Sequence, residues 1–184
     1  MEPVPQAVIE KCVGNAHGNL ARVAELITQY PAVVNARAPW NETPIEAATQ
    51  MGNKPIIDLL LQHGAPLDFF TACVLGRVDQ VRCELAANPD RARDRGVHDL
   101  PALYFAAIGG SGEVAELLLA SGSGVNEQCE AAAPIHGAVM GGSAAMVRWL
   151  LEHGADPSLP DYKGRGARQL AEDMQRPDLA ALID

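Results

Sequence analysis

Hydrophobic positions along the chain gather into short runs of helical length, each bracketed by glycine. Gly52 and Gly64 enclose "NKPIIDLLLQH", Gly110 and Gly122 enclose "SGEVAELLLAS", and Gly142 and Gly154 enclose "SAAMVRWLLEH", with the same twelve-residue step each time. Two weaker copies keep the step, from Gly18 to Tyr30 through "NLARVAELITQ" and from Gly76 to Asn88 through "RVDQVRCELAA". Five matches at one spacing predict a helix that recurs as part of a repeating unit.

A second, shorter helix is predicted to begin nine residues before each leading glycine, at Thr43, Pro101 and Ala133. In "TPIEAATQM" Thr43 can cap the helix, Pro44 suits its first turn and Glu46 completes a capping box. In "PALYFAAIGG" and "APIHGAVMGG" the capping side chain is gone while the apolar spacing stays, so packing must hold those helices.

"TPIEAA", "APIHGAVMGG", "LLLQHGAPLD" and "LLEHGADPS" resemble the ankyrin repeat, a helix-turn-helix-hairpin unit of about 33 residues with a TPLH-like opening and an LLLxxGA-like ending. The resemblance runs over residues 7–184 and implies an all-α ankyrin-repeat solenoid of six units with short hairpin fingers, the outer two units acting as caps. Their expected extents are 5–35, 36–66, 67–93, 94–126, 127–158 and 159–184, within one domain. The last unit keeps Gly164 but has Gly166, Ala167 and Arg168 where Thr, Pro and Leu would stand.

The third unit departs from the pattern. From Gly52 to Gly76 the step is twenty-four residues, and "GAPLDFFTACVLG" leaves no room for a finger. The fingers before the second and fourth units run one residue long. Burying an apolar side chain contributes about 1.5–3 kcal/mol while ordering each residue costs about 1–2 kcal/mol, so one unit cannot fold alone. Stacking is expected to give a curved body whose concave side is built from inner helices and fingers.

Composition narrows the classes of function. The chain has 184 residues, 48% of them hydrophobic and 4% aromatic, which suits helix packing better than a sheet. A formal charge of −9 argues against nucleic acid and anionic membrane surfaces. The arginine-rich stretch "RVDQVRCELAANPDRARDR" carries nearly as many acids as arginines. Cys12, Cys73, Cys83 and Cys129 have no CxxC or zinc-finger spacing and are expected to be reduced. With no secretory signal and no apolar run of about 18 residues, the expected location is the cytoplasm.

No nucleophile elbow, phosphate loop or metal motif is present, so no cofactor and no metal are expected and binding is favoured over catalysis. A loose acid/base set of Glu42, Glu46, His98 and Asp99 is the only catalytic arrangement in view. His63, His136 and His153 stand where helix ends or inter-repeat hydrogen bonds explain them, and His17 lies in a tight connection. Cys129, between Glu127 and Glu130, is expected to be inert.

The concave lining follows from the alignment. The residues expected to bind are Trp40, Glu42, Gln50, Met51, Val74, His98, Asp99, Ile108, Cys129, Glu130, Met140, Tyr162 and Lys163. Within it, Glu42, Asp99, Glu130 and Lys163 would form a charged rim, Gln50 would be surface-facing against a buried Leu60, and Gly109 and Gly141 would leave a shallow floor that a ligand could approach. Trp40 is either an interface anchor or a cover over the missing finger. The expected function is a protein-protein interaction scaffold working through the concave face and fingertips. The alternative is a small-molecule or enzymatic site near the shortened third repeat, bounded by Trp40, Phe70, Val74, His98 and Tyr104.

Overall fold

The computed structural model describes residues 3–183. They form α1 (Gln6–Ala16), α2 (Leu20–Gln29), α3 (Pro44–Gln50), α4 (Lys54–Gln62), α5 (Phe69–Leu75), α6 (Val78–Ala87), α7 (Ala102–Gly109), α8 (Gly112–Ala120), α9 (Pro134–Met140), α10 (Ala144–Glu152), α11 (Ala167–Asp173) and α12 (Pro177–Ala180). No strand occurs among the described residues; a single bridge joins Arg95 to Pro101 at the base of a finger. This is the all-helical ankyrin-repeat solenoid that the sequence predicts. Its contacts divide it into two compact units, with the division between Thr71 and Ala72 inside α5, in the segment that lacks a finger.

In the first unit α1 packs on α2 and on α3, while α3 and α2 each pack on α4. In the second unit α7, α9 and α11 form an inner row and α8 and α10 pair with α7 and α9 from outside. Four outer helices, α2, α4, α8 and α10, are started by side-chain caps: Asn19, Asn53, Ser111 and Ser143 each accept the backbone N–H three residues on. Such a cap is worth about 1 kcal/mol. Each outer helix then buries equivalent residues, Ile56, Ile57 and Leu60 in α4, Val114, Ala115 and Leu118 in α8, and Met146, Val147 and Leu150 in α10.

The inner helices begin where the sequence places them, with Thr43, Pro101 and Ala133 as N-caps. Thr43 and Glu46 form the capping box. The Ala133 amide instead donates to Nδ1 of His136, 3.0 Å away, and His136 Nε2 donates across to the Arg165 carbonyl at 3.1 Å. The ring is buried and neutral; burial lowers its pKa. The glycines of the twelve-residue ruler from Gly52 to Gly154 all have positive φ, whereas Gly18 does not, and Gln175 takes up φ 57 where the ruler places a glycine in the last unit.

Successive fingers are tied to main-chain oxygens of the unit that follows. Asn35 donates to the Gly64 carbonyl at 3.1 Å, Arg93 to the Gly122 carbonyl at 3.2 Å and Asn126 to the Gly154 carbonyl at 2.9 Å. Inner helices of the second unit approach closely enough to exclude side chains. A Cβ on Gly109 would lie 2.2 Å from the Val74 carbonyl oxygen, and one on Gly141 2.2 Å from that of Ile108. These glycines therefore serve stacking, and the expected shallow floor for a ligand is corrected: the neighbouring backbone fills it.

Candidate functional site

In the first unit the finger before α3 turns on Asn41, whose φ of 65 is the left-handed conformation that asparagine tolerates. Ala38 N–H donates to the Glu42 carbonyl at 2.8 Å, and Arg37 grips the Glu46 carboxylate through both terminal nitrogens at 3.1 Å. This turn sets Trp40 and Glu42 side by side. Trp40 is 49% exposed and its indole N–H donates to Glu42 Oε2 at 2.8 Å. Gln50 Nε2 donates to Glu42 Oε1 at 2.7 Å and lies 2.8 Å from Nε2 of His17 at the end of α1. His17 Nδ1 donates to the Gly14 carbonyl at 3.2 Å, so in the neutral ring Nε2 is the nitrogen that accepts from Gln50.

Glu42 is only 1% exposed, so its expected place on a charged rim is corrected: the carboxylate is an internal acceptor. A buried charge survives when it is hydrogen-bonded, and both oxygens of Glu42 are engaged. Gln50, 8% exposed, is likewise a buried bridge and no free lining residue. Met51 keeps an exposed face and Leu60 is fully buried, as expected.

In the second unit His98 and Asp99 are exposed at a fingertip, both with positive φ, above the Arg95–Pro101 bridge. Arg95 donates to the Asp99 carbonyl at 3.1 Å and to the Gln128 carbonyl of the next finger at 3.3 Å. Glu130 is exposed and Cys129 half-buried, its thiol directed to the Ala132 carbonyl at 3.4 Å. In the last finger Asp161 accepts from the Lys163 and Arg165 amides and the Arg165 guanidinium. Burial opposes ionisation of Asp161, but these bonds outweigh it and hold its carboxyl below the usual range. The loop so fixed presents Tyr162, 69% exposed, with Lys163 Nζ 5.3 Å from the ring centre.

Val74 and Ile108 are corrected as binding residues. Val74 is fully buried and Ile108 is 3% exposed, covered because neighbouring inner helices lie against their backbones. Met140 is half-buried and accepts a hydrogen bond from Tyr104 Oη at 3.5 Å. Tyr104 is buried, and desolvation with the nearby Cys129 raises its phenol pKa.

One cluster has no counterpart in the sequence-based expectations. Trp149 donates to Glu116 at 2.7 Å and stacks on His153 with ring centres 4.0 Å apart, while His153 Nε2 stands 3.9 Å from the same carboxylate. The signals were a Trp and a His four apart on one helix, and a Glu one repeat period earlier.

Nothing in the geometry favours the small-molecule alternative, because Val74 and Tyr104, two of its walls, have almost no surface to offer. A cleft of about 450 Å³ in the first unit contains Arg37, Thr43, Glu46 and Asp68, yet it is open and its Arg37–Glu46 pair is already satisfied. Glu46 is committed to the capping box and Glu42 to Trp40 and Gln50, so neither stands ready as a base. Among the described residues no group of three or more His, Cys, Asp or Glu could hold a metal ion, and no helix is long and apolar enough to cross a membrane. Cys12 is buried, its thiol pKa pushed up to about 11 by desolvation.

A family model described as ankyrin repeats in three copies matches residues 69–161, and one for a single ankyrin repeat matches residues 40–72. The chain is 32% identical over 133 residues to BCL-6 corepressor-like protein 1 of Homo sapiens, covering 71% of this chain and 7% of that protein. It is 46% identical over 50 residues to zygote-specific protein 3 of Chlamydomonas reinhardtii, covering 27% of this chain and 13% of that protein. The chain thus spans a small fraction of the length of these relatives.

Proposed function

The chain belongs to the ankyrin repeat family, and from that premise we propose that it is a protein-protein interaction scaffold whose contact surface is made by its fingertips and the exposed ends of its inner helices. Ankyrin repeats generally mediate protein-protein interaction. The observation that carries the proposal is the display of large side chains on fingers: Trp40 is 49% and Tyr162 69% exposed on a chain of formal charge −9. Aromatic residues held rigidly at a surface are frequent anchors of interfaces. His98, Asp99, Glu130 and Lys163, all exposed, supply the polar surroundings that orient a partner, while Met51, Cys129 and the half-buried Met140 offer softer contacts.

The proposed organisation is six repeat units with the extents given above, supported by the pairing of α1 with α2, α3 with α4, α7 with α8, α9 with α10 and α11 with α12. A cytoplasmic location remains part of the proposal.

The test is capture of partners from a native lysate by wild type and by a Trp40→Ala, His98→Ala double variant. Proteins retained by wild type and lost by the variant are expected. If wild type retains none, while a metabolite mixture raises its Tm and leaves that of the variant unchanged, the scaffold proposal falls.

A further inference from the structure

We infer that the proton on His17 selects which side chain holds Glu42, and that this exchange resets the Trp40 finger. Gln50 Nε2 sits between two groups, 2.7 Å from Glu42 Oε1 and 2.8 Å from His17 Nε2. Its two N–H bonds serve both as long as His17 Nε2 is a bare acceptor, as it is in the neutral ring whose proton sits on Nδ1 against the Gly14 carbonyl. Protonation puts a hydrogen on Nε2, and the Gln50 amide then faces a donor with a donor. Turning the amide over relieves that contact but sets its oxygen against the Glu42 carboxylate. Neither orientation satisfies both neighbours, so Gln50 withdraws.

The imidazolium has a better place to go, since His17 Nε2 already lies 3.8 Å from Glu42 Oε1. A small rotation closes a charge-assisted hydrogen bond. Trp40 hangs on the other oxygen of the same carboxylate, so rotation of that group moves the indole.

The two partners differ in their access to solvent. The His17 side chain is 37% exposed and open to solvent protons, whereas that of Glu42 is 2% exposed and responds through its neighbour. Among the described residues Glu42 is the charged partner facing the imidazole. On α2, Arg22 and Glu25 pair with each other at 2.5 Å; on α3, Glu46 is paired with Arg37 at 3.1 Å. Imidazole is the side chain whose charge changes between about pH 5 and 8.

This inference deepens the proposed scaffold function and rests on the finger being part of the contact surface, but it is read without a partner. Trp149 also neighbours a histidine, so the measurement uses the full chain with Trp149→Phe. Across about pH 5 to 8, Trp40 fluorescence and the NMR shift of its indole N–H are expected to follow one transition whose midpoint equals that of the His17 ring protons. Adding His17→Gln should abolish it. A flat Trp40 signal while His17 titrates, or an unchanged transition in the His17→Gln chain, overturns the inference. The His17 and Trp40 titrations in the Trp149→Phe chain decide the matter even if His17→Gln fails to fold. If the transition appears but capture proves indifferent to Trp40, the switch stands and the finger's role in binding falls.

Discussion

The ends of adjacent inner helices meet in two different ways in this molecule. In the first unit α1 and α3 are joined by side chains, His17 to Gln50 to Glu42, around a carboxylate shielded from water. In the second unit α7 and α9 meet through backbone, the Ile108 carbonyl lying where a Cβ of Gly141 would be. The same layer position thus carries either a polar bridge or an absence of side chain. A hydrogen-bonded bridge allows alternative partners, whereas a backbone contact at van der Waals limit allows one arrangement only. The first unit is therefore where a response to conditions can be built, and the second is where the stack is held rigid.

The largest expected effect probes the rigid side. Gly141→Ala should destabilise by about 3 kcal/mol, the upper end of overpacking costs, because the obstructing atom is a carbonyl oxygen that cannot rotate away. Gly14→Ala in α1 meets nothing within 4 Å and should instead stabilise by about 0.5–1 kcal/mol. Urea unfolding of both variants checks the pair; a loss below about 1 kcal/mol at Gly141 would mean that α7 and α9 are not so tightly joined.

On the polar side, Gln50→Ala removes a donor from a buried carboxylate and should cost about 1–3 kcal/mol. A surface-facing glutamine would give a neutral result, so urea midpoints separate the two pictures. His136 supplies a pH effect in the second unit. Its folded pKa lies below the unfolded value of 6.5, so above that value the stabilisation is complete, and as pH falls the unfolded chain takes up the proton first. Stability should therefore drop as pH falls below about 6.5, and NMR should find the His136 ring titrating below the ordinary range.

The smallest effect belongs to the other tryptophan. Trp149, Glu116 and His153 repeat the grouping of Trp40, Glu42 and His17, but the Glu116 side chain is 60% exposed. Glu116→Ala should change stability by less than about 1 kcal/mol in thermal unfolding, since water replaces what is lost. A loss as large as that at Gln50 would erase the distinction between the buried and the surface grouping.

Periodicity made the helices and their starts at Thr43, Pro101 and Ala133 legible from sequence, because each is fixed by local backbone chemistry. Burial of Glu42, Gln50, Val74 and Ile108 was not, since it depends on contacts between layers. A rule was nevertheless available: Gln50 and His17, like Trp149 and Glu116, stand 33 residues apart, one repeat period, and such residues face each other across neighbouring layers. The doubled glycines were legible as special but not as to purpose, because a missing side chain marks a close approach without saying by what.

The fingers fasten themselves to carbonyls of Gly64, Gly122 and Gly154, groups that every peptide possesses. Recognition of this kind is indifferent to the decoration of the neighbour, so a duplicated or transplanted segment would find its mooring already in place. A chain joined in that manner can lengthen, shorten or exchange parts by recombination while its display surface changes freely.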